Sequence, residues 1–146
     1  MERSVEGLTG AQSSLRSRFE DFRGAFDRRD TEAYRVALAD FHLCVKRWTE
    51  AEEAVLLPAV LHAGVPGRDP RRELRLNCVQ VRELARFLSE EVSRGAPLSD
   101  LLGLIENLAR RFSAHESEMA GVYFPAAAPH LTPEEWKLLE AAAPKG

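Results

Sequence analysis

The chain has 146 residues, enough for one domain and too few for two of ordinary size. Hydrophobic residues make up 45% and charged residues 29%, values that suit a soluble globular protein able to bury a core. Twenty basic against twenty-three acidic residues leave a formal charge of −3, which argues against a basic nucleic-acid binder. No apolar run approaches the roughly 18 residues of a membrane span, and Met1-Glu2-Arg3-Ser4 leads into no secretory leader. Cys44 and Cys78 are too few for a disulfide framework and lack C-x-x-C spacing, so a reducing cytoplasm is the expected setting.

In chain order, the stretches between glycine and proline clusters read as helices. Residues 11–28 carry Leu15, Phe19, Phe22 and Phe26 on one stripe. Asp30 caps a second helix expected over 31–57, with the stripe Tyr34, Leu38, Phe41, Val45, Trp48, Glu52 and Val55, ending near Pro58. Its odd member is Glu52, a charge on a core face. A turn-forming linker from Ala63 to Pro70 leads to a third helix over 71–93 with Leu74, Cys78, Val81, Ala85, Leu88 and Val92.

Ser99 or Asp100 is the expected cap of a fourth helix over 99–124. Its stripe is Leu101, Ile105, Leu108, Phe112, His115, Met119 and Val122, and its odd member is His115. After Pro125 the segment 126–130 reads as irregular. Thr132-Pro133-Glu134-Glu135 then opens a short fifth helix over 133–142. The expected fold is all-α: one domain spanning 1–146, an up-down-up-down four-helix bundle with a short C-terminal fifth helix.

The second and fourth helices end alike. Trp48 to Pro58 aligns without gaps on His115 to Pro125, which pairs Trp48 with His115, Glu52 with Met119, and the two prolines. With the endings Leu56-Leu57-Pro58 and Tyr123-Phe124-Pro125 and the tail Leu131-Thr132-Pro133-Glu134-Glu135-Trp136, this resembles the hemerythrin-like, or HHE cation-binding, family. The resemblance implies a helical bundle around a non-haem di-iron centre. In that family His-x-x-x-Glu lies on the second and fourth helices, and further histidines on the first and third.

By that register Glu52 and His115 keep ligand residue types. Phe19, Trp48, Cys78 and Met119 stand where the family's other ligands would be. One histidine and one glutamate cannot complete two iron shells. No di-iron cofactor is therefore expected. The expected function is a non-enzymatic binding, sensing or interaction module. The alternative is an altered site holding iron or zinc on Glu52, His115 and Cys78, and handling dioxygen, nitric oxide or peroxide.

On the first of these readings Glu52 and His115 form a buried hydrogen-bonded pair or sit in water-filled pockets of their own. Cys78 reads as an inert core thiol, and a reactive one only if a nearby cation lowers its pKa. His42, His62 and His130 lack ligand spacing. Glu118, three residues after His115, and the arginines of the third helix read as solvated charges. Expected partners exclude nucleic acid and membranes. They include a second copy of the chain, another protein, or a small apolar ligand in the bundle core.

Overall fold

A computed structural model describes residues 1–145. Among them every regular element is helical and there is no strand. Helix α1 (Val5–Asp27) is capped by Ser4, whose side chain accepts from the Gly7 amide. It therefore begins a turn and a half before the expected start at residue 11. The cap lay upstream of the phenylalanine stripe, and Leu8 extends that stripe toward it. Helix α2 (Thr31–Ala51) is capped by Asp30 as expected.

Pro58 does not end the second long helix. The chain passes through a π-helical segment (Glu52–Leu56) into α3 (Leu57–Ala63). Proline has no N–H, and its ring collides with the carbonyl four residues back. Widening the turn resolves both problems: the Leu57 amide bonds to the Glu52 carbonyl, five residues back. The turn that follows uses Gly64 and Gly67, with φ of 76° and 73°.

Helix α4 (Pro70–Ser93) starts with Pro70 in its first turn and Asp69 as its cap. Helix α5 (Leu98–Glu118) begins at Leu98, and neither Ser99 nor Asp100 caps it. Pro97 occupies the cap position with no side-chain bond. Then the second half of the chain repeats the first. A π-helical segment (Met119–Tyr123) precedes Pro125, and the Phe124 amide bonds to the Met119 carbonyl. The segment expected to be irregular is instead α6 (Phe124–Ala127) followed by a 3₁₀ turn (Ala128–His130). Helix α7 (Pro133–Ala142) opens with a complete capping box between Thr132 and Glu135.

The stripes meet in one hydrophobic core. Helix α1 packs on α2, α2 on α4, and α4 on α5. An aromatic layer ties three helices together: the ring centroids of Phe19 and Phe41 are 5.3 Å apart, Phe41 and Phe112 5.6 Å, and Phe19 and Phe112 5.9 Å. Tilted and edge-on contacts of this kind add to the gain from area burial. Arg16 closes the layer from outside, its guanidinium 4.6 Å from the Phe112 centroid, while it pairs with Glu116. Trp136 and Leu139 bury α7 against the bundle.

Candidate functional site

Each of the four long helical stretches places a polar or thiol side chain on its buried face. Helix α4 contributes Cys78, α5 contributes His115, and the π segment after α2 contributes Glu52. The exposures are 0% for Glu52 and Cys78 and 3% for His115. Helix α1 contributes Gln12, which the helical stripe also marks: Leu8, Gln12, Leu15, Phe19, Phe22 and Phe26 step by alternating fours and threes. A helix expected to start only at residue 11 leaves Gln12 in its fraying first turn, although helical phase places it on the stripe.

The first three side chains converge. His115 Nε2 donates to Glu52 Oε1 at 2.9 Å, and the Cys78 thiol points to the same oxygen at 3.7 Å. Gln12 comes to the same level of α5, where its amide nitrogen donates to the Glu116 carbonyl at 3.0 Å. Four buried atoms in this region have no hydrogen-bond partner: Glu52 Oε2, His115 Nδ1, Gln12 Oε1 and Trp48 Nε1. Such groups are rare in a folded interior because each forfeits its hydration without replacement.

The electrostatics follow from burial. Removal from water opposes protonation of His115, but the charge of Glu52 and its hydrogen bond outweigh that, and the imidazole pKa is raised. Burial, then the charges of Glu52 and Glu53, push the Cys78 pKa well above that of a free thiol. Cys78 is therefore a neutral, unreactive thiol as the chain stands, and no cation lowers its pKa enough to make it a nucleophile. Cys44 is also free, half-buried beside Asp40, and the two cysteines are not bridged.

The other residues that the resemblance singled out are placed as follows. Trp48 and Met119 are buried in the core. Phe19 is not at the level of the trio. Its neighbours are Phe22, Phe41 and Phe112, and Phe112 precedes His115 by nearly one helical turn.

Around this centre lies a polar rim. Thr49 is fully buried; its hydroxyl donates to the Val45 carbonyl and accepts from Arg82, which also pairs with Glu53. The Tyr123 hydroxyl donates to Glu73 at 2.9 Å. Burial and Glu73 push its pKa up to about 12. Glu118 turns away from His115 to pair with Arg68. His62 and His130 face each other at the surface, ring centroids 5.2 Å apart, and His42 lies half-buried elsewhere.

A di-iron centre does not fit these residues. The buried donor set is one imidazole, one carboxylate and one thiol. Trp48 and Met119, also buried, bring an indole and a thioether and add no carboxylate or imidazole to that set. No protein family, curated protein or solved structure matches the chain. No helix among the described residues is long and apolar enough to cross a membrane.

Proposed function

We propose that the chain is a hemerythrin-like, up-down-up-down four-helix bundle that has lost its di-iron chamber and serves as a non-enzymatic binding or interaction module. Side-chain pairings support the topology. Between α1 and α2, Phe19 meets Phe41 and Phe26 meets Tyr34. Between α1 and α5, Arg16 meets Glu116 and Arg23 meets Glu106. Between α4 and the α5 side, Gln80 meets Arg111 and Glu73 meets Tyr123. In each case residue numbers rise on one helix as they fall on its neighbour, the order of antiparallel packing. The matched π segments before Pro58 and Pro125 support the duplicated hairpin.

The observation that carries the functional reading is the packing of Trp48 and Met119, 1% and 0% exposed, at register positions of the family's iron ligands. A filled interior leaves the outside of the bundle for recognition. Leu76 and Phe87 stand exposed on α4 among arginines, and Leu102 on α5. Elemental analysis and an optical spectrum of protein purified from iron-supplemented cells test the proposal. Neither two irons per chain nor an oxo-bridged di-iron spectrum is expected, and finding both overturns it.

A further inference from the structure

We propose that Glu52, Cys78 and His115 bind a single zinc ion, through the Glu52 carboxylate, the Cys78 thiolate and His115 Nε2. This inference does not depend on the hemerythrin-like reading; it stands on the geometry of the three side chains.

One ligand atom from each residue lies within 4.8 Å of the other two, and all three residues are buried. Zinc sits about 2.3 Å from sulfur and roughly 2.0–2.2 Å from nitrogen or oxygen, so tetrahedral ligands are about 3.3–3.6 Å apart. The observed separations are 2.9 Å between Nε2 and Oε1 and 3.7 Å between Sγ and Oε1. To admit an ion the nitrogen and oxygen have to part by a fraction of an ångström, and the sulfur and nitrogen, within 4.8 Å of each other, have to settle about 3.6 Å apart.

The charges balance as well. One thiolate and one carboxylate neutralise the dication, and a neutral imidazole completes the protein donors. A centre without net charge escapes most of the cost of burying an ion. Loading breaks the Cys78 S–H bond, forms the zinc–sulfur bond and releases that proton to solvent. His115 ligates through Nε2 with its proton on Nδ1; a ring that was cationic releases a second proton.

A separate observation points to the same ligand. Glu52 Oε2 has no partner although its residue is fully buried. Bidentate binding of that carboxylate would give it one and would supply a fourth donor atom. All three residues are buried away from any substrate, so this is a structural zinc, which holds three helical segments to one another.

The site is sealed, so the ion enters as the chain folds. The test is to refold the full chain from denaturant with zinc, pass it through a desalting column and measure zinc per chain. A parallel sample takes cobalt. The expected result is one zinc per chain, a raised melting temperature, and a thiolate-to-cobalt charge-transfer band. Cys78→Ala should abolish the band and the stoichiometry, and Cys44→Ala should keep both. His115→Gln, checked for helical content by circular dichroism, should bind far more weakly. No retained zinc overturns the inference and leaves the filled-bundle reading standing. Binding that survives Cys78→Ala but vanishes in His62→Gln with His130→Gln also overturns it, because the metal then sits on the surface pair. Two irons per chain overturn both.

Discussion

His115 and Glu52 are 63 residues apart in the chain and 2.9 Å apart in the core, Nε2 donating to Oε1. Each answers part of the other's lost hydration, which is why two ionisable side chains persist on otherwise apolar stripes. Neither is fully satisfied, since Nδ1 and Oε2 have no partners. Such a pair contributes little net stability compared with hydrocarbon of the same size, yet breaking it is expensive.

That asymmetry predicts the outcome of a double-mutant cycle. Glu52→Ala or His115→Ala alone leaves a buried group stranded and should cost about 1–3 kcal/mol, or more where the survivor is charged. Glu52→Gln should be milder than Glu52→Ala, because the amide keeps an acceptor. Glu52→Leu combined with His115→Leu should cost less than the two single changes added together. Urea melts of the variants provide the comparison, and strict additivity would show that the two residues are not coupled.

The pair also makes stability depend on pH. Burial disfavours the cationic ring, but Glu52 prevails and the His115 pKa is raised in the folded state. A raised folded-state pKa stabilises the protein in full below the unfolded value of about 6.5, and the benefit is lost as pH climbs through the folded value. The gap in urea midpoint between the metal-free wild type and His115→Gln should therefore shrink as pH rises from about 6 to about 9. A gap that widens over that range contradicts the assignment.

Phe112 is the α5 member of the aromatic layer, in contact with Phe19 and Phe41 and covered by Arg16. Phe112→Ala should cost about 3–5 kcal/mol. A chain of this length loses roughly 2–4 °C of melting temperature per kcal/mol, so thermal melts give a direct check. Phe112→Leu should cost markedly less, because it keeps most of the buried volume. Arg16→Met should be mild, since the cation lies at the edge of the layer with a quarter of its side chain exposed.

On the proposed hemerythrin-like reading, installing iron ligands should distinguish the polar and the aromatic level of α1. Trp48→His with Met119→Glu adds donors beside the trio. Adding Gln12→His to these should raise iron affinity more than adding Phe19→His. Gln12 reaches the main chain next to His115, whereas Phe19 packs one turn away on Phe112. Iron titration with elemental analysis ranks the two triple variants, and equal affinities would mean that the level of α1 does not matter. Each triple variant should be less stable than the parent, because apolar packing is exchanged for polar groups.

The helical character of the chain was legible in the sequence. Period 3.6 is a local property, and Phe19, Phe22 and Phe26 or Leu74, Cys78 and Val81 declare a buried face without any knowledge of the partner helix. Caps at Asp30 and Thr132 are likewise written in a few adjacent residues. Phase alone also put Glu52, His115 and Cys78 on core faces, and the family-like spacing of Trp48 to Pro58 and His115 to Pro125 raised the idea that the first two share a level. Where helices end was less legible. Pro58 and Pro125 looked like stops, but packing on both sides holds the chain helical and the backbone absorbs each proline in a π turn.

Only the tertiary structure decided which atoms meet. That His115 and Cys78 converge on one oxygen of Glu52, that Glu118 goes to Arg68 instead, and that Phe19 belongs to the layer of Phe112 all depend on the axial shift between helices. Helical periodicity determines which face a residue occupies. The relative height of two helices is set by how bulky side chains such as Trp48, Phe112 and Met119 interlock across the core, which no single segment of sequence contains.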